Sequence, residues 1–220
     1  MNSWSDLKYF ETIVIDNINI VEDAFLLRFK RGFTFKAGQV VGLGLKTDIE
    51  PRLYSIASGE HGEFIEILYT EKSDGKLTPM LSLLKKGDKI LSTTPFGSFT
   101  GYADSPVCIS TGTGIAPFIS MLKSGKGKNA TFIHGVRTPE YFYFEDILKE
   151  RLGSNYVQCC SGSNSPEYYT GRVTKYLQEH PMNTDKKYYL CGIAEMVVDA
   201  RDILISKGIP YGNIISEIYF

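Results

Sequence analysis

Cysteine is scarce in this chain: 220 residues hold four, and none of them forms a CxxC pair. Cys108, Cys159, Cys160 and Cys191 each stand in or at the end of an apolar, strand-like run, where a buried thiol is the ordinary state. The three histidines, His61, His134 and His180, are scattered. The spacings that hold zinc or an iron–sulfur cluster are therefore missing, and neither a metal nor a disulfide is expected. Long apolar runs are missing too, and none approaches the length of a membrane span. The first residues lack the charged start, apolar core and small-residue cleavage site of a secretory signal, which gives the expectation of a cytoplasmic protein. Excess charge of either sign is also absent. With 24 basic and 25 acidic residues the net charge is −1, so there is no global basic field of the kind that attracts nucleic acid. What the chain does have is 43% hydrophobic residues, enough to bury a real core in one large domain or two small ones.

The first half reads as strands and turns. Phe25, Leu27 and Phe29 alternate with Leu26, Arg28 and Lys30 at a period of two. Phe35-Lys36-Ala37-Gly38-Gln39 turns into the apolar run from Val40 to Leu45, and Gly62 leads into Phe64-Ile65-Glu66-Ile67-Leu68-Tyr69. Leu77, Leu81 and Leu84 form a short helical stripe, and Lys89 to Ser92 is a further strand. Short strands with regular turns predict an antiparallel β-barrel. Near Gly101–Pro106 the rhythm changes to strand–helix alternation. Helices are expected near 115–123, 140–151, 171–179 and 194–206, and a last strand at Ile214–Ile218. That pattern predicts a doubly wound parallel sheet with helices on both faces. The expected domains are residues 1–102 and 103–220.

Four stretches could carry chemistry. Pro51 biases Glu50 toward extended backbone, and Arg52-Leu53-Tyr54-Ser55 follows. A guanidinium fork suits a phosphate, a tyrosine face suits a flat heterocycle, and a serine could reach a ring nitrogen. A partly exposed strand with one surface arginine accounts for the same residues. Asp74-Gly75-Lys76-Leu77-Thr78 precedes a short helix, whose amides and Thr78 hydroxyl could hold phosphates; a capped helix start is the plain alternative. In Thr111-Gly112-Thr113-Gly114-Ile115-Ala116-Pro117, glycines at a strand's carboxyl end admit a ligand to the backbone. Pro117 is preorganised for a helix start whose dipole favours an anion such as a pyrophosphate. A tight turn without a ligand explains these residues as well. Cys191-Gly192 ends the fourth strand of the second half, at the sheet edge where open α/β folds bind ligands, and nothing marks that thiol as activated. The chain stops at Ser216-Glu217-Ile218-Tyr219-Phe220. Termini are usually polar and frayed, so two final aromatics suggest a flat surface to cover, with core packing as the competing account.

Taken in order, these stretches resemble the ferredoxin–NADP reductase family, most closely its compact bacterial ferredoxin/flavodoxin–NADP reductases, over nearly the whole chain. Arg52-Leu53-Tyr54-Ser55 is similar to the RxYS flavin signature and Asp74–Thr78 to the FAD-diphosphate loop. Thr111–Pro117 is similar to the nicotinamide-nucleotide loop, and Cys191-Gly192 through Met196 to the CGxxxM segment. The resemblance implies an FAD-dependent, NAD(P)H-linked oxidoreductase: hydride transfer to flavin N5, then single-electron release to a small redox protein such as ferredoxin or flavodoxin. Arg52 would pair with the FAD diphosphate, Leu53 and Tyr54 would lie along the flavin, and Ser55 would reach toward its N5. Leu68, Tyr69 and Thr70 would line the ring, and Gly75, Lys76, Leu77 and Thr78 would hold phosphate. Gly112, Thr113, Gly114, Cys191, Gly192 and Met196 would hold the nucleotide. Ser55, Cys191, Glu217 and Tyr219 would stand at the reacting rings. Tyr219 would cover the flavin until nicotinamide displaces it, and Phe220 would add a second aromatic or reach the adenine side.

The donor is read from cations, because the 2′-phosphate of NADP calls for arginine or lysine. By the resemblance, Arg137 and Arg172 match two of three expected arginines, while Ser161-Gly162 has glycine at the middle position. This favours NADPH over NADH. Pro95-Phe96-Gly97-Ser98-Phe99 leans toward the rival reading of an NADH-dependent reductase component for an oxygenase or cytochrome, and a non-catalytic flavin-binding redox sensor is the third. The expected assembly is a monomer with no nucleic-acid or membrane partner.

Overall fold

A computed structural model of the chain describes residues 8–45 and 51–219. The chain divides into two compact units. One holds the described residues up to Thr100 together with Ala116–Ser124, and the other holds Gly101–Ile115 with the described residues from Gly125 onward.

The first unit is built on a six-stranded antiparallel sheet, in the order β4-β3-β6-β1-β2-β5, of β1 (Tyr9–Val21), β2 (Ala24–Lys30), β3 (Val40–Gly44), β4 (Arg52–Ser55), β5 (Phe64–Thr70) and β6 (Lys89–Thr93). β1 serves two neighbours. Its first half pairs with β6 (Tyr9 opposite Thr93), its second half with β2 (Asn17 opposite Leu27), and an irregularity between Val14 and Asp16 separates the two. Such an interruption bends a strand and lets a sheet curl. The curl closes where Ile56 bridges Ile67 and the Ala57 N–H donates to Glu66 C=O at 2.8 Å. Leu27, Phe29, Val41, Leu43, Ile56, Ile65, Ile67 and Ile90 fill the interior. The predicted leucine stripe forms α1 (Thr78–Ser82), with Leu81 fully buried in that interior. Asn17 of β1 secures it by donating from Nδ2 to Leu81 C=O at 2.9 Å, while its Oδ1 accepts from the Tyr69 hydroxyl at 3.3 Å. The helix α2 (Ala116–Lys123) also groups with this unit, although a linear boundary assigns it to the second half.

The second unit is a parallel sheet in the order β10-β9-β8-β7-β11-β12, made of β7 (Val107–Thr111), β8 (Thr131–Val136), β9 (Tyr156–Cys160), β10 (Tyr169–Thr170), β11 (Tyr188–Ile193) and β12 (Ile214–Tyr219). Val107, Ile109, Ile133, Tyr188 and Leu190 alternate onto one face. There they pack against Val173 and Leu177 of α4 (Val173–Glu179) and Met196, Val197, Ala200 and Leu204 of α5 (Ala194–Ser206). On the other face Gln158 Nε2 donates to Glu145 Oε1 of α3 (Glu145–Leu152) at 2.8 Å. The helix expected from residue 140 therefore starts five residues late. Pro139–Tyr141 form a 3-10 turn and Phe144 takes a left-handed φ of 57° immediately before α3, a conformation that stops helical winding. All four cysteines are free and buried. No described helix is long and apolar enough to cross a membrane.

Candidate functional site

In the first unit the candidate residues lie on an outer strand. β4 pairs only with β3, Val41 opposite Tyr54 and Leu43 opposite Arg52. Its other edge has no strand partner among the described residues before the bridge at Ile56. Arg52 is exposed and has no ion pair among the described residues, and Leu53 is 44% exposed. A cation and an apolar side chain left open beside an unpaired strand edge make a ledge for a ligand both charged and flat. Tyr54 is half-buried, its ring edge-on to Tyr69 with centroids 6.3 Å apart. Burial pushes its hydroxyl up to about 12, against the opposite pull of Arg52, so it stays a hydrogen-bond donor. Ser55 is buried at the end of the strand.

Other candidates are committed to the fold. The Tyr69 ring is in the barrel core, stacked on Phe25 with centroids 5.4 Å apart, and Leu77 is buried in the same core. What these two positions offer a ligand is backbone. Leu68 is buried as well, and Thr70 half-buried. The Thr78 hydroxyl accepts from the Lys72 N–H at 2.9 Å and closes the loop that holds Gly75 and the exposed Lys76. Phe220 lies outside the described residues.

In the second unit the candidates meet at the carboxyl ends of β7 and β11. Gly112–Ile115 wind as a 3-10 turn directly after β7. A Cβ on Gly114 would fall onto the Cys191 peptide, 2.7 Å from its carbonyl carbon, and one on Gly192 would lie 2.5 Å from Thr111 Oγ1. Glycine is thus required for the two strand ends to touch. Thr111 Oγ1 is buried there with no hydrogen-bond partner among the described residues. A buried hydroxyl without a partner is costly and rare, which makes this close-packed junction of two strand ends a candidate for meeting a ligand's polar group. Met196 is buried against the same spot, its Cε 2.8 Å from a Cβ built on Gly192. Burial and the neighbouring Glu217 carboxylate push the Cys191 thiol well above its ordinary range, although the Tyr219 hydroxyl hydrogen-bonds it. Cys191 is therefore a neutral thiol and not a nucleophile. Glu217 stands opposite Cys191 in the β11–β12 register, and Tyr219 opposite Ile193.

Arg137 and Arg172 are exposed, neither with an ion pair among the described residues. The Gly162 N–H donates to Arg137 C=O at 2.7 Å and the Gly171 N–H to Cys160 C=O at 2.8 Å, so the segments after β8, β9 and β10 share one edge of the sheet. A Cβ on Gly162 would come within 2.5 Å of the Arg137 carbonyl oxygen. No arginine can stand at 162 while Arg137 keeps this backbone.

Two groups of residues carry no signature motif. His134 is fully buried, its Nδ1 3.2 Å from the Tyr156 hydroxyl. Burial pushes it down to about 4, with the Gly112 backbone working the other way. Glu66, 3% exposed, is paired with Arg28 and Lys123. Its signal in the sequence is a lone carboxylate inside the apolar run Phe64–Tyr69.

The chain is similar to known oxidoreductases over most of its length. Residues 108–202 match the family model described as an oxidoreductase NAD-binding domain. A ferredoxin–NADP reductase of Pseudomonas aeruginosa is 31% identical over 213 residues, covering 81% of this chain and 81% of that protein. The reductase component of a propane 2-monooxygenase from Mycolicibacterium goodii is 32% identical over 198 residues, 81% of this chain but only 57% of that longer protein. Among solved structures, a ferredoxin NADP+ reductase from Neisseria gonorrhoeae with bound FAD and NADP has the same fold, with a TM-score of 0.87 at 24% identity over 98% of this chain and all of that one. With the glycine cradle of its parallel sheet and the RxYS strand on its barrel, the chain belongs to the ferredoxin–NADP reductase family of oxidoreductases.

Proposed function

We propose that the chain holds FAD on the barrel and a pyridine nucleotide, NADPH in preference to NADH, on the parallel sheet. It passes electrons between that nucleotide and a one-electron carrier such as ferredoxin or flavodoxin. The observation that carries the reading is the junction at Gly114 and Gly192, where no Cβ fits and the Thr111 hydroxyl has no partner among the described residues. The open guanidinium and half-buried tyrosine of β4 fit the flavin in the same way. Residues 1–102 form the FAD part and 103–220 the nucleotide part, except that α2 packs with the former.

When bound, FAD supplies the exchange between two-electron hydride chemistry and single-electron transfer. The chain supplies position and charge. Arg52 neutralises the diphosphate, Tyr54 offers a ring to the isoalloxazine, and Ser55 offers a hydroxyl toward N5. Gly112, Thr113 and Gly114 would admit the nucleotide diphosphate to bare backbone, with Thr111 and Cys191 at the strand ends that would hold the nicotinamide. Glu217 lies beside Cys191 and orients the carboxamide end. Tyr219, hydrogen-bonded to the Cys191 thiol, covers the nicotinamide position until the nucleotide arrives.

Arg137 and Arg172 bind the 2′-phosphate. Charge-assisted hydrogen bonds of this kind are each worth roughly 1.5–3 kcal/mol. Replacing both arginines by alanine is therefore expected to raise the KM for NADPH at least tenfold and leave that for NADH nearly unchanged. Equal effects on the two donors would remove the NADPH assignment. Gly162 favours a second reading, an NADH-linked reductase component for an oxygenase. Steady-state rates with purified ferredoxin, flavodoxin and an oxygenase ferredoxin separate the two.

A further inference from the structure

The helix that follows the nucleotide loop is fixed to the barrel by a buried ionic clamp. Glu66 of β5 is almost fully buried, its side chain 5% exposed, and each carboxylate oxygen has its own cation. Oε1 accepts from Arg28 Nε of β2 at 2.9 Å, and Oε2 from Lys123 Nζ at the last residue of α2. Two neutral contacts back this up. Ser120 Oγ donates to Ser58 C=O at 2.7 Å in a fully buried bond, and the Glu60 N–H donates to Ser124 Oγ at 2.9 Å. Gly59 lets the chains meet, since a Cβ there would stand 2.8 Å from the Lys123 carbonyl oxygen. On the helix's other side Phe118 meets Phe99 edge-on with centroids 5.7 Å apart.

Among the described residues, the barrel groups bonded to the last turn of α2 include Ser58 and Glu60, just beyond β4, and Glu66, whose own C=O accepts from Ala57. The segment that follows β4 and the far end of the helix are thus bonded to each other. At its near end, Ala116 is joined by a single peptide bond to Ile115 of the 3-10 turn Gly112–Ile115. A lysine that only solvated the helix end would be exposed. Lys123 is 23% exposed and sits on a carboxylate that is itself buried, an arrangement costly to make and damaging to break on one side only.

We propose that Lys123 and Glu66 are positioning residues for the oxidoreductase reaction: they lock the end of α2 to β5 and, through the peptide bond between Ala116 and Ile115, restrain the Gly112–Ile115 loop that receives a pyridine nucleotide. Neither residue touches the nucleotide. The inference rests on the reductase reading, and the test keeps the two apart.

The test compares the wild-type holoprotein with Lys123→Ala, Lys123→Arg and Glu66→Gln. Three quantities are measured: bound flavin per chain, kcat and KM for NADPH with ferricyanide as acceptor, and amide hydrogen exchange by peptide. Lys123→Ala leaves Glu66 paired with Arg28, so the barrel keeps its charge balance. It is expected to retain its flavin and its reduction by dithionite, to raise KM about tenfold, and to speed exchange in 112–120 with little change in 131–136. Lys123→Arg restores both values, and Glu66→Gln behaves like Lys123→Ala. Wild-type exchange in 112–120 together with wild-type KM in Lys123→Ala would overturn the proposal. So would exchange that rises evenly through the barrel with loss of flavin, which is the mark of a merely structural ion pair. If the wild-type flavin is not reduced by either pyridine nucleotide, the reductase reading falls, and the exchange pattern alone still decides whether the clamp holds the loop.

Discussion

At the scale of single residues, burial decides which atoms each candidate can offer a ligand. Burial keeps the Cys191 thiol neutral and holds the Tyr69 ring in the core, whereas Arg52 stays exposed. The same force acts on His134. Its folded value of about 4 lies below the ordinary 6.5 because a fully buried ring resists charge. The neutral ring therefore contributes stability that is complete above pH 6.5 and is lost as pH falls toward 4. By the linkage relation this amounts to roughly 2–3 kcal/mol between pH 7.5 and 4.5. Urea unfolding at those two pH values should show a drop in the wild type that is smaller by about that amount in His134→Gln. An unchanged difference would mean that His134 is charged in the folded protein. No pattern of spacing could have singled out His134, since a lone histidine in an apolar strand gives no sign of the Tyr156 hydroxyl that meets it.

At the scale of elements, legibility follows the range of the interactions that make each one. The strand–turn–helix unit Val107–Lys123 is local, and its glycines and Pro117 announce it. α1 announces itself by Leu77, Leu81 and Leu84. The late start of α3 is not announced, because the left-handed φ falls on Phe144 and not on a glycine, the residue that would have signalled it. β1 was equally hidden. Its side chains do not keep one period, since the irregularities at Val14–Asp16 and Asn19–Val21 re-aim the strand partway along. β10 is a two-residue edge strand, too short to carry a pattern. The glycine turn after β7, the proposed nucleotide loop, is tested at this scale. In Gly114→Ala the new methyl must displace the Cys191 peptide, and backbone of a central strand does not yield cheaply. The variant should keep its flavin, lose several degrees of thermal stability, and show a KM raised more than tenfold for NADPH and NADH alike. A variant with wild-type kinetics would show that the loop does not hold the nucleotide.

Across the whole molecule, the barrel and the parallel sheet were readable from periodicity and turn chemistry, and most candidate residues from four short stretches in a fixed order and an aromatic terminus. The membership of α2 was not. Its bonds to the barrel join residues 57 to 64 positions apart, Glu66 to Lys123 and Glu60 to Ser124. Contacts at that separation leave no trace in local pattern. The donor reading has the same character: Arg137 and Arg172 are visible as letters, whereas the reason for glycine at 162 is a carbonyl oxygen brought in from β8's end.

The central claim is that one chain carries both a flavin and the nucleotide that reduces it. Anaerobic stopped-flow mixing of the purified holoprotein with NADPH, and separately with NADH, tests it most directly. The account predicts a yellow protein with flavin absorption whose visible bands bleach with either nucleotide, at a rate that saturates at lower concentration for NADPH. A colourless protein, or a flavin that neither nucleotide bleaches, would contradict it.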